Sequence, residues 1–103
     1  MNIKVVKLVT GEDVICEYKE KDENYAIMED PVIIMTVPTE EGIGISMALP
    51  WGMISDKREF EIRKDHIIYE IDPPEELSNQ YSSQFGSGII TARDIPDIPT
   101  IQI

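Results

Sequence analysis

At 103 residues the chain has the length of one small domain, and 42% hydrophobic residues suffice for a single core. Twenty aspartates and glutamates against nine lysines and arginines set the net charge at −11. That balance excludes binding driven by a broad cationic field, to nucleic acid phosphates or to anionic lipid. One cysteine (Cys16) rules out an intramolecular disulfide, one histidine (His66) rules out a multi-histidine metal site, and no apolar run approaches the roughly 20 residues of a membrane helix. With no signal-peptide core after Met1-Asn2-Ile3-Lys4, the expectation is a soluble cytoplasmic protein without cofactor or metal.

The first run, Ile3 to Val9, is rich in β-branched residues, with Lys4 and Lys7 marking a wet face. Thr10-Gly11-Glu12-Asp13 reads as a tight turn, and Val14 to Lys19 as a second strand with Val14, Cys16 and Tyr18 on one face. Lys21-Asp22-Glu23-Asn24 is the next turn. Tyr25 to Met28 and Val32 to Val37 form strands on either side of Glu29-Asp30-Pro31, where the proline implies an edge or a bulge. Pro38 to Gly44 is a loop, and Ile43, Ile45, Met47 and Leu49 alternate with small residues up to a kink at Pro50-Trp51-Gly52. Phe60 and Ile62 alternate with charges in Glu59 to Arg63, Lys64-Asp65 is a two-residue turn, and His66 to Ile71 closes the series. Short runs at this spacing describe an all-β unit.

Beyond Ile71 the pattern changes. Asp72 as N-cap, Pro73 at the first helical position and Glu75 predict a helix to about Gln84, with Leu77, Tyr81 and Phe85 on one face and Gly86 ending it. Ile95-Pro96-Asp97-Ile98-Pro99-Thr100-Ile101 favours extended backbone, either disordered or laid across a neighbour. The expected organisation is a barrel over 1–71, a helix packed on it over 72–86 and an extended tail over 87–103.

No enzyme signature is present. Cys16 and His66 lack the setting of a nucleophile and its base, and Cys16 reads as a small core residue. The acidic pairs Glu12-Asp13, Glu29-Asp30, Glu40-Glu41 and Glu75-Glu76 follow no calcium-loop spacing and read as solvated turns. Gly42-Ile43-Gly44 and Gly86-Ser87-Gly88 lack the lysine of a phosphate-binding loop.

Two stretches carry more information. Leu8-Val9-Thr10-Gly11-Glu12-Asp13-Val14, followed by Asp22, Asn24 and Tyr25-Ala26-Ile27-Met28 before Glu29-Asp30, is the first. Ile62-Arg63-Lys64-Asp65-His66-Ile67-Ile68 is the second. Together they resemble the two signatures of the Sm/LSm/Hfq superfamily, in an outlying form of the sort found in phage and marine metagenomic sequence. The chain departs from the pattern in three ways: Cys16 and Lys64 stand where glycines are usual, the family's N-terminal helix has no counterpart, and the segment around Trp51 is long.

The resemblance implies a strongly bent five-stranded antiparallel barrel, with Tyr25 to Val37 as one strand and Ile43 to Arg63 as another, interrupted near Trp51. It further implies a homo-oligomeric ring of about five to seven subunits, built by edge pairing of the fourth and fifth strands, with Phe60, Ile62 and Ile68 at the subunit interface. Its pore would gather Asn24, Tyr25, Arg63, Lys64, Asp65 and His66, with Tyr25 stacking a base of single-stranded RNA, Asn24 reading its edge, and Arg63 with Lys64 meeting phosphate. The same residues also fit a plainer reading, with Tyr25 as a strand aromatic and Arg63 neutralising Glu59, Glu61 or Asp65. An adaptor ring recruiting a protein through its acidic surface and C-terminal tail is the alternative function, and Trp51 reads as a core or interface anchor.

Overall fold

A computed structural model describes residues 2–85 and 100–102. Strands β1 (Ile3–Leu8) and β2 (Asp13–Glu20) form a hairpin. Its turn closes through Gly11 N–H to Leu8 O at 2.9 Å, with Gly11 at φ 99°, a conformation open to glycine and strained for most other residues. There follow β3 (Tyr25–Thr39), β4 (Gly42–Pro50), β5 (Glu59–Arg63), a single 3-10 turn (Lys64–His66), β6 (Ile67–Ile71), helix α1 (Glu75–Phe85) and β7 (Thr100–Gln102).

All strand pairs are antiparallel, in the order β6-β1-β2-β3-β4-β7, with β5 also on β3. Strand β3 organises the sheet. One edge of β3 pairs with β2; the other pairs with β5 along Tyr25 to Glu29 and with β4 from Val32 onward. Strands β4 and β5 are therefore two halves of one long strand, split at Trp51 as the sequence suggests. Between them β3 bulges. Glu17 lies opposite Glu29 and Ile15 opposite Val32, so Asp30 and Pro31 together face Cys16 alone. Asp30 takes φ 49°, an unusual conformation for a residue with a side chain. Pro31 has no N–H to leave unpaired at this point. The bulge keeps Val32 on the face of Ile15 and bends the strand.

Both faces of the sheet are buried. Val6, Leu8, Val14, Cys16, Tyr18, Ala26 and Met28 fill the interior of the bend, against half-buried Trp51, Ile62 and Ile67. On the other face Val5, Ile15, Val32, Ile45 and Met47 receive Leu77 and Tyr81 of α1. Burying each of these two helix side chains stabilises the domain by about 1.5–3 kcal/mol. The Tyr81 hydroxyl, 2.7 Å from Asp30 O and 3.0 Å from Glu29 O, places its proton on the carbonyls of the bulge.

The fold is thus mainly β, strongly bent and antiparallel, with one helix behind it. Three boundaries differ from expectation. The helix starts at Glu75 rather than Pro73, with Ser78 N–H donating to Pro74 O at 2.9 Å, and Asp72 accepts from Lys4 Nζ at 2.7 Å. Lys64-Asp65 is part of a three-residue 3-10 turn, and the third strand runs on to Thr39. Gly86 and residues 87–99 of the expected tail lie outside the described residues. Thr100–Gln102 pairs with Ser46–Gly44 at the edge of β4.

Cys16 is fully buried, and burial pushes its thiol from an ordinary 9.0 up to about 12. A group whose pKa is raised by folding stabilises the fold below its unfolded value and loses that contribution as pH climbs to the folded one. Stability should therefore decline from about pH 9 towards pH 12, by roughly 1.4 kcal/mol per unit for this group. Burial raises the Tyr18 and Tyr81 phenols as well, which adds to the loss at the alkaline end. Denaturant unfolding at stepped pH should show a shallower decline just above pH 9 for Cys16→Ala, at a cost near neutrality of about 1–2 kcal/mol. Rapid reaction of the native thiol with a maleimide at neutral pH would contradict this placement.

Candidate functional site

Two turns meet at the end of β3 where β5 leaves it. In the first, Asp22 Oδ1 accepts from Asn24 N–H at 2.8 Å and Tyr25 N–H at 2.9 Å, an Asx turn that fixes the start of β3. In the second, the chain leaves β5 at Arg63 and winds once through Lys64–His66 into β6. Tyr25 stands directly opposite Arg63 in the ladder, and Lys64 N–H donates to Asn24 O at 2.8 Å. Asn24, Tyr25, Arg63, Lys64, Asp65 and His66 are therefore one contiguous cluster, although nearly forty residues separate its two halves.

Its charges are matched within the chain. Arg63 reaches Asp65 with Nε to Oδ1 at 3.1 Å and Nη2 to Oδ2 at 3.0 Å. The hydrogen-bonded guanidinium holds the Asp65 carboxyl below the usual range, and Arg63 is raised in return. Lys64 pairs with Glu20. Lys21 donates to Glu61 at 2.6 Å and also sits 5.9 Å above the centre of the Tyr25 ring. His66 Nε2 lies 3.8 Å from Asp65 Oδ1, while its carbonyl accepts from Val9 N–H at 2.9 Å. Arg63 holds Asp65, one of the carboxylates the plainer reading names for it, and Lys64 holds Glu20, so a phosphate must compete with a carboxylate for either. Glu20, Lys21 and Glu61 complete the cluster and were missed, because their proximity depends on strand register and no motif marks it.

Behind the second turn opens a cleft of about 250 Å³, lined among others by Leu8, Val9, Trp51, Arg63 and His66. Trp51 shapes it. Its ring meets Phe60 edge-on at 5.2 Å, and its indole N–H donates to Glu12 Oε1 at 3.2 Å. Gly52, at φ 69°, lets the Phe60 ring approach to 2.7 Å from where a Cβ would stand. Phe60 and Ile62 are consequently half-buried in their own chain, the latter against the interior cluster. Of the three expected interface residues only Ile68, 58% exposed on β6, turns its side chain outward. Among the described residues the outer edges of β5 and β6 have no strand partner.

A small bent antiparallel sheet whose first strand pairs with β6, with the turn before β3 bonded to the turn after β5, defines an Sm-type barrel. The model of the Sm-like domain family matches residues 5–82, from within β1 through β6 and most of α1. The chain belongs to that family. No curated protein matches it.

Gly52→Ala tests how Trp51 is held. A methyl group there meets Phe60 and forces a strained backbone, so stability should fall by about 1–3 kcal/mol. Trp51 emission should shift to the red in the folded protein, and unchanged emission with unchanged stability would show that the Phe60 contact does not position it.

Proposed function

We propose that copies of this chain close head to tail into a ring and that the ring binds single-stranded RNA where the two turns of each copy line the pore. The observation that carries this reading is the union of those turns: Tyr25 opposite Arg63, and Lys64 N–H bonded to Asn24 O. Proteins of the Sm type often form rings and bind RNA. Two edges support the assembly. Strands β5 and β6 are each five residues long, and pairing β5 of one copy with β6 of the next satisfies both sets of backbone groups.

Binding at such a pore draws little from long-range attraction, given the net charge of −11. Stacking on Tyr25 supplies the sequence-tolerant part, at roughly 1–3 kcal/mol per base, and Lys21 must move off the ring to admit it. Arg63 exchanges Asp65 for a phosphate or a base edge, with ring symmetry bringing one such group from each copy to a shared axis. The resulting affinity is weak per site and grows with strand length. A second reading, an adaptor ring that takes protein partners on its acidic surface, is favoured by the pairing of Arg63, Lys64 and Lys21 with carboxylates.

Sedimentation should give one species at a single multiple of 11.7 kDa, with about five to seven copies. Ile68→Asp should dissociate it while leaving the melting transition in place, since Ile68 is exposed within its own chain. Monomer alone at micromolar concentration would remove the ring.

Titration of labelled A-rich and U-rich RNA oligomers at low salt should show binding that Tyr25→Ala and Arg63→Ala each weaken by roughly tenfold. Asp65→Asn should strengthen it by releasing the guanidinium, without altering thermal stability measurably. Absence of binding to either RNA, or indifference to all three substitutions, would leave the adaptor reading in its place.

A further inference from the structure

Strand β4 has nine residues, and among the described residues its outer edge is paired at Gly44 to Ser46, with Gln102 to Thr100 of β7. We propose that this edge is a docking site for an extended peptide, filled in the free protein by the chain's own C-terminal strand and opened when a partner segment displaces it. The partner fits one chemistry: a strand of five or more residues with apolar residues at alternate positions and lysine or arginine flanking them.

Each part of that specification comes from the edge itself. Ile43, Ile45 and Met47 share one face of β4, and among them Ile45 and Met47 are buried while Ile43 is 55% exposed. The described part of β7 ends at Gln102, opposite Gly44, one register position short of Ile43. A longer strand adds ladder bonds on both sides of the resident one and covers Ile43. The spacing between Ile43, Ile45 and Met47 calls for apolar partners every second residue. Glu40 and Glu41 stand at the tip of the β3–β4 hairpin, and the whole chain carries −11, so a basic flank is attracted where a second acidic one is repelled.

Displacement is feasible because the described part of β7 is expensive to hold in place. Three paired residues must offset the closure of the connection between Phe85 and Thr100, a cost that grows with the logarithm of its length. What holds β7 is effective concentration, which a longer free strand can exceed. Neither the ring nor RNA binding enters this argument, and both can fail without touching it.

Two full-length variants supply the test. Neighbouring N–H groups of a strand point to opposite sides, so Ile101→Pro and Gln102→Pro between them must remove a ladder donor from β7. The probes are a fluorescent peptide of residues 97–103 and a form of it with two lysines added at its C-terminus, the end that the register of β7 carries towards Glu41 and Glu40. At least one variant should bind the peptide about tenfold more tightly than the wild-type chain, and the lysine form should bind tighter still at low salt. Amide exchange at Gly44–Ser46 should quicken in that variant and slow again when peptide is added. Equal affinity of all three chains, binding to none of them, or exchange at Gly44–Ser46 unchanged by peptide would each overturn the proposal. Both variants should still unfold in one cooperative transition, since the pairing of β3 with β2, β4 and β5 is untouched.

Discussion

Strand β3 is fifteen residues long in a domain of modest size, and a straight strand of that length would run past anything able to cover it. The bulge at Asp30-Pro31 resolves this by inserting one residue, turning the strand and preserving which residues face which core. Everything downstream depends on that turn. Because β3 changes direction there, its second edge can serve β5 and then β4, and the chain between them must fold over as the segment holding Trp51. Three independent contacts fix the bend. Arg58 grips Asp30 with two bonds of 2.7 Å, Asp30 N–H donates to Arg58 O at 2.7 Å, and Tyr81 of the helix reaches the carbonyls from the other face. A residue held at positive φ persists when its surroundings over-determine it, and these do.

The electrostatics of the paired turns show how a strongly acidic chain accommodates a cationic element. Each basic side chain in that region has a carboxylate within reach on an adjacent strand or two residues along the chain. Exposed pairs of this kind contribute little to stability, so their effect lies in setting what another molecule must displace. An anion meets neutralised arginine and lysine, whereas a flat ring meets Tyr25 under a single ammonium. On the proposed reading, this resting charge pattern favours a flat ring over a bare anion.

Much of the architecture was legible because it follows from local chemistry. Alternation marked most of the strands, Pro31 marked the bulge, and Pro50-Trp51-Gly52 marked the break between β4 and β5 that chain topology then required. The spacing of Leu77 and Tyr81 identified the helix face that packs. Register was not legible. The meeting of the two turns was expected from the two signatures, and Asp65 was among the carboxylates named for Arg63, yet the pairing of Lys64 with Glu20 and of Lys21 with Glu61 depends on which residues lie side by side across the sheet. Phe60 was placed at a subunit interface by the resemblance. Its inward turn follows from the close approach that Gly52 permits, a contact between segments that no periodicity encodes. The pairing of Asp72 with Lys4 was not legible for a similar reason, since Lys4 lies at the far end of the chain.

The pairing of β1 with β6 has a consequence for how the chain acquires its shape. Leu8 lies opposite Ile67 and Val5 opposite Ile71, so β1, synthesised before the other strands of the barrel, waits for its second neighbour until almost the whole barrel has been made. The β1–β2 hairpin forms from local contacts alone, and β3 can join it at once. Closure then rests on one encounter between distant segments, which makes it the step slowed most by loop entropy. Until that encounter the row of backbone donors and acceptors on β1 stands open beside the apolar residues Val5, Val6 and Leu8. The nascent chain is at that stage a sheet with a sticky margin, and Lys4 and Lys7 along that strand are the charges that keep one unfinished copy from adding to another.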